Sequence, residues 1–395
     1  MSMLYRVSNA VIAPELSRDL GLTPQELGLM GAAFFYACAV AQVPLGPALD
    51  HAGTKRTLVF LNLVGAAGAV VFALAHGLAG GLLGRTLLGL GMSANLMGPF
   101  MLYSRWFKPT EFATVSGVTV AAGYFGNLLA TSPLVVLSQA LTWRGAFVVL
   151  ALVNLALILG TALWVGESPP GHHKLAKKSD RKHPGALRML ATSRSFWSIA
   201  LTGGLRYGGF GAIQALWAGP FLMIHLGFDA ITAGNILLPI SVGYAIGAPI
   251  GGILSDRVFR SRKWVALAGL LAVAATVIVM AHWPGPVHVI LLGATMFVFG
   301  FFGAFGQLFY PHIKDLMPED ISGSAMTGVN FFVFLGAGVF MQGLGSVLGQ
   351  GGSNGLTKGG DYYSAFMICF FTLILAAIVY LFSRDARLNR NADAS

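Results

Sequence analysis

The chain has 395 residues, of which 55% are hydrophobic and only 10% are charged, and its net charge is +10. Soluble domains have a charged share of roughly 25%, so this composition excludes an ordinary soluble globular protein. Charge is absent from whole stretches of about 20 residues, the length with which an α-helix crosses a bilayer. The two cysteines, Cys38 and Cys369, lie in separate apolar segments and predict no disulfide framework.

Twelve apolar segments predict an all-α integral membrane protein with twelve transmembrane helices in two pseudo-symmetric six-helix bundles. A basic linker, 166–195, separates an N-terminal half, 1–165, from a C-terminal half, 196–395, that ends in a short tail. Because the seventh helix begins upstream of the position that corresponds to Met1, the sequence predicts either that the first helix is shortened at its N-terminus or that the true start lies upstream. The predicted helices span residues 1–20, 27–49, 58–75, 82–103, 112–137, 146–165, 196–225, 232–254, 264–281, 288–310, 324–347 and 365–382.

The cations are distributed unevenly across this arrangement. Nineteen of the 25 Lys and Arg residues fall on one side of the membrane, here called the basic side. Such an excess marks the cytoplasmic loops of multi-pass membrane proteins. It predicts a cell-membrane protein with both termini and the linker in the cytoplasm, and it accounts for the net charge without nucleic-acid binding. The nineteen are Lys55, Arg56, Arg105, Lys108, Lys174, Lys177, Lys178, Arg181, Lys182, Arg188, Arg194, Arg257, Arg260, Arg262, Lys263, Lys314, Arg384, Arg387 and Arg390.

The second half repeats the first at an offset of 206 residues. Parallel repeats of this kind are the architecture of a large class of transporters, which hold their substrate near the bilayer midplane between the halves. The repeat therefore predicts a transporter. The matching positions are Pro14 and Pro220, Leu16 and Leu222, Leu20 and Leu226, Gly21 and Gly227, Gly28 and Gly234, Gly46 and Gly252, Asp50 and Asp256, and Arg56 and Arg262.

Each half carries Gly-x-x-x-Asp at the basic end of its second helix, followed by basic residues; the copies are Gly46–Asp50 and Gly252–Asp256. With the twelve-helix duplication, this motif resembles the major facilitator superfamily, whose version continues Arg-x-Gly-Arg-Lys or -Arg. The resemblance covers essentially the whole chain and implies that the charges hold the cytoplasmic gate closed in the outward-facing state. A simple topology anchor is the alternative, and His51 and Phe259 depart from the family pattern. The predicted gating residues are Asp50, Arg56, Arg85, Asp256, Arg257 and Arg262.

Arg6, Arg85 and Arg206 lie within predicted spans, where a charge is costly enough to indicate function. Arg6 and Arg206 fall near the midplane, whereas every Asp and Glu falls in a loop or at a helix end. Two guanidinium groups without a balancing carboxylate predict a small organic or inorganic anion as substrate. Arginines in helices one and seven also resemble the organophosphate–phosphate antiporter and anion–cation symporter branches. The alternatives are that Arg6 snorkels or pairs with a helix end, and that Arg85 contacts substrate.

The predicted substrate site takes its remaining residues from polar side chains within the spans. Buried amides also hold membrane helices together, so structural roles are the alternative for them. In the superfamily, helices one, four, seven and ten line the cavity, and that resemblance selects the residues on these helices, to which Tyr124 of helix five is added. The predicted substrate-binding residues are Arg6, Arg206, Asn9, Asn95, Tyr124, Gln214 and Gln307.

No ATP-binding Gly-x-x-x-x-Gly-Lys-Ser/Thr motif is present, and no catalytic motif or cofactor site is predicted. The histidines of the linker are predicted to lie in a solvated basic loop rather than to bind a metal ion. The driving force is then a proton or sodium gradient or a counter-substrate, and Glu15 and His225 are the candidate coupling residues. We expect a monomer in contact with lipid. Drug or metabolite efflux by proton antiport and a non-transporting solute sensor are the alternatives.

Overall fold

The structure, a computed structural model, describes residues 1–167, 186–283, 288–349 and 361–385. In these ranges it contains twelve membrane helices and a short surface helix, Ala186–Thr192, so the all-α fold is confirmed and most of the predicted linker lies outside the described residues. The helices are Ser2–Val7 with Asn9–Leu20 (α1), Pro24–His51 (α2), Thr54–Ala73 (α3), Leu78–Met92 with Met97–Trp106 (α4), Pro109–Leu129 with the first part of Ser132–Trp164 (α5), the rest of that segment (α6), Arg194–Ala212 with Ile213–Trp217, Ala218–Pro220 and Phe221–His225 (α7), Ala230–Ile253 with Leu254–Val258 (α8), Arg262–Ala281 (α9), Val289–Gly303 with Ala304–Leu308 and Phe309–Leu316 (α10), Glu319–Leu348 (α11) and Tyr362–Leu381 (α12).

Several membrane helices are interrupted rather than continuous. In the described part of the chain, eight continuous helices are long and apolar enough to cross a membrane. One of them, Ser132–Trp164, is divided at Thr142, whose φ of 65° lies in the left-handed region that a β-branched residue rarely adopts. The turn Ile213–Trp217 of α7 is π-helical, a feature that often marks functional sites in helices. The Thr142 break is the turn between α5 and α6, whereas the π-helical turn lies within α7 itself.

The repeat at offset 206 is visible in the backbone. Gly21 and Gly227 both end the outer part of a first helix with positive φ, 64° and 78°. Thr23 and Asp229, which also correspond, both cap the helix that follows: the Thr23 hydroxyl accepts from the backbone of Glu26, and the Asp229 carboxylate accepts from Ile231 and Thr232. Equivalent residues thus begin α2 and α8 in the same way.

The two halves pack closely on the side opposite the basic side. A methyl group at Gly28 of α2 would lie 2.6 Å from the carbonyl oxygen of Met341 in α11, so only glycine allows this approach. The corresponding Gly234 of α8 packs against Ser132 of α5, where an added methyl group would lie 3.0 Å from the Ser132 Cα. The Tyr36 hydroxyl also donates to the Gln342 amide oxygen across the α2–α11 contact, at 2.9 Å. Backbone packing between the halves closes this side of the molecule.

Candidate functional site

A cavity of about 810 Å³ lies between the two halves. Its walls begin at Arg6 and Arg206 in the centre of the molecule and continue to Trp106, Trp164 and Gly166 at the basic ends of the N-terminal helices. The cavity therefore opens toward the basic side and ends at the glycine-rich contacts that close the opposite side. A central cavity that opens to one side is the geometry that alternating access requires.

Arg206 of α7 forms one part of the cavity wall and is only 5% exposed. Its guanidinium donates to the carbonyl oxygen of Gly303 and lies 5.0 Å from the centre of the Phe210 ring. The guanidinium occupies the space that a side chain at Gly306 would need, so a glycine in α10 makes room for it. The neighbouring backbone and aromatic ring fix its position, and it still faces the cavity.

Arg6 of α1 enters the same cavity from the other half. Its guanidinium donates to the hydroxyl of Tyr207 at 3.3 Å and lies 5.1 Å from the centre of the Phe334 ring. The Arg206 guanidinium lies 5.8 Å from the centre of the Tyr207 ring. Both arginines therefore contact the same tyrosine, one from each half of the molecule.

Four further predicted site residues also line the cavity: Asn95, Tyr124, Gln214 and Gln307. The Gln307 amide donates to the Tyr244 hydroxyl at 2.7 Å, and the rings of Tyr124 and Tyr244 lie 4.6 Å apart. These contacts join α10 to α8 and α8 to α5. The polar part of the wall thus comes from both halves.

Asn9 does not lie in the cavity wall. Its side chain is fully buried, and within the described residues neither its amide oxygen nor its amide nitrogen has a hydrogen-bond partner. Asn95 differs, because its amide exchanges two hydrogen bonds with Asn62 of α3, at 2.8 and 3.1 Å. The structure brings together six of the seven predicted binding residues and leaves Asn9 behind the wall.

Among the tyrosines of the wall, sequence reasoning selected Tyr124 and missed Tyr207 and Tyr310 near the two arginines, as well as Tyr103 and Tyr244. Tyr310 donates to the Asn330 amide oxygen at 2.7 Å, and Asn330 in turn donates to Gln42 at 3.2 Å. This chain of hydrogen bonds runs from α10 through α11 to α2 and so crosses between the halves. The sequence signal that could have identified Tyr207 was its position directly after Arg206.

Arg85, predicted to act in gating or substrate contact, is fully buried inside the N-terminal half and does not line the cavity. Its guanidinium donates to the carbonyl oxygen of Tyr5 at 2.9 Å and lies 4.9 Å from the centre of the Phe34 ring. Tyr5 directly precedes Arg6. Arg85 therefore ties α4 to the segment of α1 that presents Arg6.

The second copy of the Gly-x-x-x-Asp motif makes its ion pairs within one half. Arg262 lies 2.7 Å from the Asp315 carboxylate of α10 and 3.8 Å from Asp256. Arg257 and, in the first copy, Arg56 are exposed. The side chain of Asp50 lies outside what the structure describes.

A carboxylate that the sequence analysis placed in the linker, Glu167, holds the basic side of the N-terminal half together. It accepts from the backbone N–H groups of Thr54 and Lys55 at 2.6 and 2.9 Å and from Arg105 at 2.7 Å. Burial opposes the charged form, but the Lys55 and Thr54 hydrogen bonds and Arg105 outweigh it and lower the pKa of Glu167 below its ordinary value. Asp385, which follows α12 as Glu167 follows α6, accepts from the Ser261 hydroxyl. The sequence signal for this role was the presence of a carboxylate shortly after the last helix of each half.

Neither predicted coupling residue lines the cavity. Glu15 is half-buried near the outer end of α1, and His225 is exposed at the end of α7. The His225 ring lies 5.5 Å from Phe221 and 5.2 Å from Tyr362. Both residues therefore belong to the closed side of the molecule.

Comparison with known proteins gives a consistent family assignment. The sequence matches the profile of the Major Facilitator Superfamily over residues 1–341 and 221–395. It is 26% identical over 318 residues to a probable sulfoacetate transporter of Cupriavidus necator, a match that covers 76% of this chain and 74% of that protein. It is 25% identical over 368 residues to a probable galactarate/D-glucarate transporter of Escherichia coli, covering 83% of this chain and 80% of the relative.

The fold is similar to that of a solved transporter. A bacterial homologue of the human lysosomal transporter Spinster, in an inward-facing and unoccupied conformation, superposes with a TM-score of 0.78. The match covers 96% of this chain and 93% of that one at 18% sequence identity. At this identity the comparison supports the fold and carries no information on substrate.

Proposed function

The chain belongs to the Major Facilitator Superfamily, and we propose that it is a secondary active transporter of a small organic anion. The observation that carries this proposal is the central cavity, to which each half contributes one arginine, Arg6 and Arg206. A guanidinium matches the geometry of a carboxylate, sulfonate or phosphate group and keeps its charge at any physiological pH. The sulfoacetate and galactarate/D-glucarate transporters among its relatives support an organic acid in particular.

In this proposal the substrate binds between Arg6 and Arg206, with Tyr124, Gln214 and Gln307 contacting its uncharged part. The charged residues of the two motif copies act in gating at the basic side rather than in binding. We place that side in the cytoplasm of a cell-membrane protein with both termini inside, because Lys and Arg concentrate there. The protein acts as a monomer in lipid, without enzymatic activity, and a proton, a sodium ion or a counter-substrate drives transport.

Substrate-induced thermal stabilisation of the purified protein tests the binding proposal. Sulfoacetate, galactarate and glucarate are the probes, with a neutral sugar and an organic cation for comparison. A charge-assisted hydrogen bond contributes about 1.5–3 kcal/mol, so Arg206→Ala and Arg6→Ala are each expected to weaken binding by about ten- to a hundredfold. Arg206→Lys should recover only part of the affinity, because a point charge cannot replace a two-pronged donor.

Arg188→Ala is the matched control, since Arg188 is exposed on the surface helix. It removes the same charge without touching the cavity and is expected to bind like the wild type. A neutral or cationic compound that binds the wild type and both cavity variants equally well would overturn the anion proposal and favour efflux of drugs or metabolites.

A further inference from the structure

The central cavity extends farther into the N-terminal half than into the C-terminal half. Beyond the two arginines it continues between α4 and α6 and reaches α3; this extension is here called the side pocket. Its apolar wall consists of Leu58 and Val59 of α3, Leu102 and Trp106 of α4, and Leu157 and Ile158 of α6. Among the described residues that line the cavity, none comes from α9 or α12, the counterparts of α3 and α6 in the second half. The side pocket is therefore not a consequence of the repeat.

In the C-terminal half, aromatic side chains fill the space between α10, α9 and α8. Phe305 of α10 is buried, and its ring lies 5.6 Å from the ring of Phe301 and 5.5 Å from that of Phe302. A methyl group at Gly269 of α9 would lie 2.5 Å from the Phe305 Cβ, and one at Gly251 of α8 would lie 2.9 Å from its ring. The two glycines let α9 and α8 close around this ring, so no pocket forms there among the described residues.

In the N-terminal half, the course of α4 leaves room beside α6. This helix is interrupted between Met92 and Met97, and its basic end meets α6 where the Trp106 indole donates to the carbonyl oxygen of Gly166 at 3.0 Å. From Asn154 to Trp164, α6 borders the side pocket. These ten residues extend over about 15 Å at the rise of an α-helix. The side pocket is therefore long enough for an extended chain of several carbon atoms.

The polar groups in the wall of the side pocket mostly bond to one another. The Asn62 amide nitrogen donates to the carbonyl oxygen of Leu58 at 2.9 Å and to the Asn95 amide oxygen at 2.8 Å. The Asn95 nitrogen donates in return at 3.1 Å and also contacts the Met92 sulfur at 3.2 Å, while the Thr161 hydroxyl donates to the α6 backbone. A hydroxylated chain would lose its water there and find few free donors, whereas an apolar chain loses no hydrogen bonds. The side pocket thus favours an apolar occupant.

We propose that the side pocket binds an apolar chain of the substrate, whose acid group is held by Arg6 and Arg206. The substrate class is then an organic anion with an apolar chain, rather than a compact or fully hydroxylated acid. Burial of the chain supplies affinity, and the arginines supply recognition of the charge. This inference rests on the proposed anion transport and specifies the substrate.

Thermal stabilisation of the purified protein by straight-chain carboxylates, from acetate to octanoate, tests the proposal. Sulfoacetate and galactarate, which have no apolar chain, are the reference anions. Each methylene group that enters the side pocket is expected to raise the affinity by about threefold. If chain length has no effect while a reference anion stabilises the protein, the proposal for the side pocket is overturned and anion transport stands. If no anion of either set stabilises the protein, the proposed function itself is overturned.

Substitutions that fill the side pocket locate the chain. Leu157→Trp narrows it from α6, where Leu157 is exposed enough for the fold to tolerate a larger side chain, and Val59→Trp narrows it from α3. Both variants are expected to lose the dependence on chain length and to keep the wild-type affinity for acetate. Leu152→Trp is the matched control, since Leu152 is exposed on α6 and does not line the cavity. A dependence on chain length of the same size in Leu157→Trp and Leu152→Trp would place the apolar chain in detergent or lipid and overturn the proposal.

Discussion

Tyr207 connects the two arginines of the cavity, because its hydroxyl accepts from Arg6 while its ring lies beside Arg206. Tyr207→Phe removes the hydroxyl and keeps the ring. Loss of this hydrogen bond is expected to cost about 1 kcal/mol of binding free energy, or about fivefold in affinity. Thermal stabilisation by sulfoacetate or galactarate measures the change. Tyr103→Phe is the control, since the Tyr103 hydroxyl pairs with Thr119 elsewhere on the same wall. Equal affinity in the two variants would contradict a positioning role for Tyr207.

Asn9 and Asn95 differ in position, because Asn9 is buried behind the cavity wall whereas Asn95 lines the cavity. Both polar atoms of its side chain are buried without partners in the described structure, and such groups cost about 1–3 kcal/mol each. Asn9→Ala is therefore expected to leave substrate affinity unchanged and to maintain or raise the apparent unfolding temperature. Asn95→Ala should lower that temperature, because it leaves the amide oxygen of Asn62 without its hydrogen-bond donor. A large loss of affinity in Asn9→Ala would restore the role predicted from sequence.

The site residues show what sequence reasoning can reach at this scale. Arg6 and Arg206 are identifiable because a charge inside an apolar span is conspicuous. Asn9 was misplaced and Tyr207 was missed for one reason: the rotation of each helix about its axis decides which side chains face the cavity. That rotation depends on packing between helices, such as the contact of Arg206 with the backbone of α10, which a single sequence does not reveal.

At the scale of elements, Glu167 anchors the start of α3, where its carboxylate meets two unpaired backbone N–H groups and the positive end of the helix dipole. Glu167→Gln is expected to lower the stability by about 1 kcal/mol or less, because the side chain is partly exposed. The lowered pKa of Glu167 determines whether its contribution to stability rises or falls with pH. The contribution is fully present above the ordinary glutamate pKa and disappears as the pH falls through the lower pKa of the folded state.

Apparent unfolding temperatures of the wild type and Glu167→Gln, measured from neutral pH down to about pH 3, test this sign. The two curves should converge at acid pH. Arg105→Gln removes the ion pair but leaves both backbone hydrogen bonds, so it should retain part of the pH dependence. A difference that grows as the pH falls would show that Glu167 stabilises the protein in its neutral form.

The positions of the helices were predictable from the sequence to within a few residues, and their interruptions were not. The predicted spans 27–49 and 264–281 correspond to α2 and α9, because charge and turn residues limit these apolar segments. The π-helical turn around Gln214 leaves no comparable signal in the composition. It lies where α7 crosses α1 of the other half.

At the scale of the whole molecule, the repeat at offset 206 predicted two similar halves but not how they meet. Gly28 and Gly234 correspond in sequence, and each packs against the opposite half on the closed side. Glycine at both positions is consistent with this close approach, yet the same residue also occurs at Gly46 and Gly252, where an added methyl group would meet nothing. The partner helices α11 and α5 became identifiable only in three dimensions.

Alternating access requires α2 and α11 to separate on the closed side, and this can be tested by joining them. A Cβ atom at Gly349 would lie 3.4 Å from Cγ of Gln25, so Gln25→Cys with Gly349→Cys places two thiols within reach of a disulfide. Oxidation is expected to reduce anion transport in proteoliposomes to background, and a reductant should restore it. Each single variant should transport equally before and after oxidation, because the native Cys38 and Cys369 are buried. If the oxidised double variant forms the disulfide and still transports, the halves do not separate at this contact, and the closed side described here is not a gate.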